Sequence, residues 1–197
     1  FATSMLTVAI LSRYLDKIEY GTYRQIVYIY FTLLVVFSAG LPHVFSYFLP
    51  RNNIKYGRDI VMKITKILGV SGIVFSALLF SFSGLIAIAL KNPELSIGLK
   101  YFSPIPMLLL PTIGVEGIFA TYKKTKHIAV FNVITRIVML ICIVTPIVFY
   151  RASYEIAICG WLISSVFTLI LALYLQTPKS YCTETFALNF FLSLLGI

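Results

Sequence analysis

Charge is scarce in these 197 residues, and acid is scarcer than base: seven Asp and Glu stand against sixteen Lys and Arg. Charged residues make up 12% of the chain, about half the share of a soluble domain, whereas apolar residues reach 59% and the mean hydropathy is +0.94. A water-soluble globular fold is therefore excluded. Cysteine is nearly as rare. Cys142, Cys159 and Cys182 form an odd, scattered set with neither a disulfide framework nor a metal-ligand spacing, so they read as small apolar residues. A glycine-rich phosphate loop, a nucleophile elbow, a His/Cys cluster and a close pair of loop carboxylates are all missing from the sequence. Catalysis is not indicated, and no cofactor or metal is expected. The ten-residue alternation of a membrane β-barrel is missing too. The net charge of +9 suggests nucleic acid at first sight. The basic residues, however, fall between apolar stretches, where they orient a membrane protein, so no nucleic-acid partner is expected.

What remains is a series of long apolar stretches. Residues 26–50, 67–90 and 156–178 carry no formal charge, and 101–122 and 128–150 carry one each. About twenty residues at 1.5 Å rise cross a hydrocarbon core of roughly 30 Å. In lipid each backbone amide must be satisfied within its own helix. The fold class expected is all-α: a polytopic transmembrane bundle embedded in a lipid bilayer. The end segments 1–12 and 185–197 are apolar but too short to span, and they read as incomplete helices of a longer transporter-like protein. On this reading residues 1–177 form an N-terminal transmembrane lobe of six helices, and 178–197 form a linker and the start of a seventh.

Alternate loops lie on alternate sides. One set holds nine basic residues, including Arg51, Lys55, Arg58, Lys123, Lys124 and Lys126; the other holds six, together with Asp16, Glu19, Glu94 and Glu155. The richer set belongs in the cytoplasm. Loops are expected at 14–24, 51–66 and 91–100. Tyr20, Tyr23, Tyr101, Tyr122, Tyr150 and Trp161 suit an interfacial belt at span ends. Pro42, Pro111 and Pro146 interrupt spans and remove backbone hydrogen bonds, and Pro104 and Pro106 crowd the start of the fourth. Gly69, Gly72, Ser76 and Ala77 permit close helix packing.

Two intramembrane charges, Glu116 and Arg136, are the strongest local hints of function. An Arg at a helix centre costs about 2.5–3.5 kcal/mol on insertion scales, so it needs a partner or a wet cavity. Asn132 precedes Arg136 by four residues on the same face. Counted from their shared loop, Glu116 and Arg136 reach similar depths, so an ion pair is feasible. Such a pair has two readings: it neutralises itself and fixes helix packing, or its members line a polar cavity for a charged substrate. Arg offers bidentate geometry to phosphate, and the attraction grows as water is excluded. The candidate substrate-binding residues are Arg136, Asn132, Glu116, Arg13 and Arg24, the last two also suiting interfacial snorkelling. Glu116 and His43 are candidates for coupling to H+ or Na+.

The segment Ser12-Arg13-Tyr14-Leu15-Asp16-Lys17-Ile18-Glu19-Tyr20-Gly21-Thr22-Tyr23 resembles the first external loop of lipid-linked oligosaccharide flippases. Those proteins carry an Arg–Leu–Gly–Pro–Glu–Glu–Tyr–Gly-x-Tyr type of segment there. Arg13, Leu15, Glu19, Tyr20, Gly21 and Tyr23 keep it, and Asp16-Lys17 replaces Gly-Pro. Ser38-Ala39-Gly40-Leu41-Pro42 and Tyr47-Phe48-Leu49-Pro50-Arg51 resemble the end of their second helix, and 185–197 the start of their seventh. The family is the Wzx-type polysaccharide flippases of the multidrug/oligosaccharidyl-lipid/polysaccharide (MOP) exporter superfamily. The resemblance implies two six-helix lobes around a cavity, alternating access, and a bacterial inner membrane. It also implies an undecaprenyl-pyrophosphate-linked oligosaccharide as substrate, for surface polysaccharides such as O-antigen. No individual binding residue is carried over from it. The rival readings are a multidrug or organic-cation antiporter, which needs acidic cavity groups, and a membrane glycan polymerase or ligase, which needs a long external loop. A structural membrane subunit is the third.

Overall fold

The computed structural model describes residues 2–38, 54–121, 125–149 and 153–175. Those residues form seven helices and no strand, as the apolar runs require. They are α1 (Ala2–Tyr14), α2 (Lys17–Ser38), α3 (Ile54–Ala89), α4 (Glu94–Phe102), α5 (Pro104–Thr121), α6 (Thr125–Phe149) and α7 (Tyr154–Leu175). Four of the helices hold stretches long and apolar enough to cross a membrane: Val61–Ala89, Pro104–Thr121, Thr125–Phe149 and Tyr154–Leu175. Large apolar side chains such as Val70, Ile88, Phe149 and Ile170 are exposed along these helices, as a lipid-facing surface demands.

Several boundaries differ from the sequence reading. The first loop shrinks to Leu15 and Asp16, because α2 begins at Lys17 and absorbs Ile18 to Arg24. Most of the basic segment 51–66 is helical, since α3 starts at Ile54; Lys and Arg are good helix formers, and charge marks where apolar residues stop rather than where a helix does. The segment 91–100 is largely the short helix α4. Pro104 and Pro106 fall in the first turn of α5, where a missing N–H costs nothing, so only Pro111 and Pro146 sit inside described helices. Pro42 and His43 lie outside the described residues.

α5 is the central element: half of its most apolar window is buried, against 11% for α6. It packs on α3 and α7, while α6 packs on α7 and α1 and so lies at the edge of the bundle. Helices in lipid gain no hydrophobic driving force from one another, so close fit must hold them. Gly72 supplies one such contact: a Cβ there would stand 3.0 Å from Met107 Cα and 3.1 Å from the Pro106 carbonyl oxygen. Gly160 supplies a second, against the Cys142 carbonyl. Of the small-residue stripe expected on α3, Gly72 makes a close backbone contact, whereas Gly69 meets nothing within 4 Å and Ala77 is exposed.

The turn from α3 into α4 is capped by the chain itself. Lys91 takes the left-handed conformation (φ 52°). Its N–H donates to Ile88 and that of Asn92 to Ala87, which satisfies the last carbonyls of α3. The Asn92 amide then donates to Thr22 Oγ1 (3.0 Å) and Gln25 Oε1 (2.9 Å), which ties this turn to α2.

Candidate functional site

A cavity of about 360 Å³ opens between α1, α2, α5, α6 and α7. Each main wall is one helical face, built from residues three and four apart. α2 presents Tyr23, Val27, Tyr30 and Leu34, with Arg24 beside them. α5 presents Leu109, Thr112, Ile113 and Glu116. α6 presents Asn132, Thr135, Arg136 and Met139, and α7 presents Trp161, Ser164 and Thr168. α1 closes the side with Thr7 and Val8.

The charged groups on the wall are Arg24, Glu116 and Arg136. Glu116 does not take Arg136 as its hydrogen-bond partner. Its Oε1 accepts instead from Asn132 Nδ2 at 2.9 Å, one turn of α6 earlier. Among the described residues, no carboxylate lies within ion-pair distance of Arg136. The hydroxyls are arranged differently. Thr112 donates to the Leu109 carbonyl (2.7 Å), Ser164 to Trp161 (2.9 Å) and Thr168 to Ser164 (2.8 Å), while Thr135 is shared between Phe131 (2.9 Å) and Asn132 (3.2 Å). With their protons committed to the helix backbone, these oxygens have only acceptor lone pairs left for the cavity. The charged donors for an anion are the two guanidinium groups, and the Tyr23 and Tyr30 hydroxyls and the Trp161 indole are neutral donors on the same wall.

Behind the wall lies an aromatic cluster. Trp161 meets Phe102 edge-on at 5.2 Å and Tyr30 at 6.1 Å, with Tyr23 tilted at 6.4 Å. Tyr30 stacks on Phe75 at 6.0 Å, and Phe75 on Phe37 at 4.6 Å. Such pairs hold ring positions beyond what area alone provides. They lock the floor against which the polar groups project.

Of the six residues singled out from sequence, Arg24, Glu116, Asn132 and Arg136 share this cavity. Arg13 is exposed near the end of α1 and is not on the wall, and His43 lies outside the described residues. Tyr23 and Trp161, read as interfacial, are buried at the cavity instead, each 5% exposed. Each lies about two turns inside its helix, because α2 and α7 begin at Lys17 and Tyr154. Sequence reasoning missed Tyr30, Thr112, Thr135, Ser164 and Thr168. The 23/27/30 and 161/164/168 spacings would have found most of them.

A family model described as polysaccharide biosynthesis protein matches residues 2–195. The chain belongs to that family. The family includes Wzx-like flippases of the MOP exporter superfamily. No curated protein and no solved structure matches the chain. Membership and the apolar helices together make this a multi-pass membrane protein of polysaccharide biosynthesis.

Proposed function

We propose that the chain is a flippase, a transporter rather than an enzyme. It moves an undecaprenyl-pyrophosphate-linked oligosaccharide from the cytoplasmic to the periplasmic leaflet of a bacterial inner membrane, for surface polysaccharides such as O-antigen. Residues 1–177 act as the first lobe of an alternating-access pair, with 178–197 as the linker into the second. The observation that carries this reading is the presence of two guanidinium groups, Arg24 and Arg136, on one cavity in which the Thr112, Ser164 and Thr168 hydroxyls are left as acceptors. Pyrophosphate suits the arginines, because charge-assisted, bidentate contacts strengthen where water is thinned. Sugar hydroxyls, as donors, suit the Ser and Thr oxygens. The proposed pyrophosphate-binding residues are therefore Arg136 and Arg24, with Asn132 and Glu116 placed for the glycan rather than the pyrophosphate; Arg13, away from the wall, drops out. Glu116 is also the proposed exchanger of H+ or Na+, and His43 retains that role on sequence grounds alone.

The test is export of glycan in cells that depend on this protein. Arg136→Ala should leave lipid-linked oligosaccharide on the cytoplasmic leaflet while the protein inserts at normal abundance. Normal export with normal abundance would overturn the reading. Loss of folded protein in both Arg136→Ala and Arg136→Lys would favour a structural subunit. One observation favours an organic-cation antiporter, namely the Glu116 carboxylate on the wall. That reading predicts cation efflux that survives Arg136→Ala and fails in Glu116→Gln.

A further inference from the structure

Glu116 is an anion built into a wall that also carries two cations, and it has two potential partners on the facing helix. One is Asn132, which holds it at 2.9 Å. The other is Arg136, four residues on along the same face of α6, about 6 Å up the axis. A flexible Glu side chain can span much of that distance. An amide holds a carboxylate by a hydrogen bond yet leaves its charge uncompensated, whereas a guanidinium would neutralise it. The structure thus keeps Glu116 on the weaker partner, and among the described residues no carboxylate pairs with Arg136. Arg24, on α2, is the remaining charged group on the wall.

We propose that Glu116 is an internal competitor for Arg136: Asn132 parks the carboxylate while an anionic ligand occupies the guanidinium, and Glu116 swings to Arg136 as the ligand leaves. Asn132 then acts as a positioning residue that sets how tightly the cavity holds an anion. This rests on the reading of Arg136 as the phosphate-binding group.

The competition predicts a pattern of signs. Glu116→Gln keeps a side chain of the same shape but cannot neutralise Arg136, so anion affinity rises by about two- to fivefold, the range for a partly exposed charge pair. Asn132→Ala frees Glu116 to occupy Arg136, so affinity falls by a similar factor. The double variant Glu116→Gln/Asn132→Ala regains at least the parent affinity, because no carboxylate is left to compete.

Inorganic pyrophosphate titrated calorimetrically into the purified protein in lipid nanodiscs reads all three, with Arg136→Ala as reference and thermal midpoints as a check on folding. Asn132→Ser replaces Asn132→Ala if the alanine variant does not fold. If Arg136→Ala binds as the parent does, the reading of the cavity itself fails. If Arg136→Ala weakens binding but Glu116→Gln does not tighten it, the competition fails alone. A double variant as weak as Asn132→Ala also overturns it, since Asn132 would then contact the anion directly.

Discussion

Gly160 of α7 sets its bare Cα against the carbonyl of Cys142 in α6, the carbonyl that Pro146 deprives of its helical N–H partner. The same arrangement recurs between α3 and α5. Pro111 withholds the N–H that Met107 would bond, and Gly72 stands over the backbone of Pro106 and Met107. In lipid an unmatched carbonyl is costly, and a glycine Cα–H brought close offers a weak donor where a side chain would block the approach. Each interior proline of the described helices is thus paired with a glycine on a neighbouring helix.

Gly160→Ala should therefore destabilise the protein by about 1–3 kcal/mol, because its Cβ meets backbone that cannot rotate away. Gly72→Ala should cost less, for its contacts are looser. Gly21→Ala and Gly69→Ala, both helical and facing open space, should be neutral or stabilising by up to about 1 kcal/mol. Thermal unfolding in detergent, followed by size-exclusion chromatography, ranks the four.

Asn92→Ala should cost about 1–2 kcal/mol through its two lost hydrogen bonds to α2. Lys91→Gly should gain about 0.5–1 kcal/mol, since the left-handed backbone at that position suits glycine. Opposite shifts of thermal midpoint in the two variants are the check.

Phe75→Ala should cost about 3–5 kcal/mol, for the ring is fully buried and stacked between Tyr30 and Phe37. Phe75→Leu should recover a large part of that loss. Folded yield and thermal midpoint measure both.

Arg24→Ala should lower glycan export about tenfold or more at unchanged abundance, the scale of a charge-assisted contact. Arg13→Ala should leave export unaltered, as Arg13 is exposed away from the cavity. Equal effects from both would argue that only surface charge matters.

Most of the fold was legible because lipid simplifies the problem: a long apolar run can satisfy its backbone only as a helix. The boundaries were less legible. Charge and Tyr content drew loops at 14–24 and 51–66, but Lys17 to Arg24 and Ile54 to Lys66 hold no Pro to stop a helix, and α2 and α3 take them in. That misplacement sent Tyr23 to the interface, and the general preference of Trp for span ends sent Trp161 there. The intramembrane pair was found because charge there is anomalous, yet the identity of Glu116's partner was not, since facing helices can slide by one turn along their axes without any change in sequence pattern. The hydroxyls of Thr112, Ser164 and Thr168 were missed because Ser and Thr are unremarked in apolar helices, where they bond their own backbone.

Trp161 is the single indole among the 197 residues, and it borders the chamber where the ionic groups converge. The segment therefore carries its own optical reporter: emission wavelength and quenching from one defined position can follow filling and emptying with no attached dye.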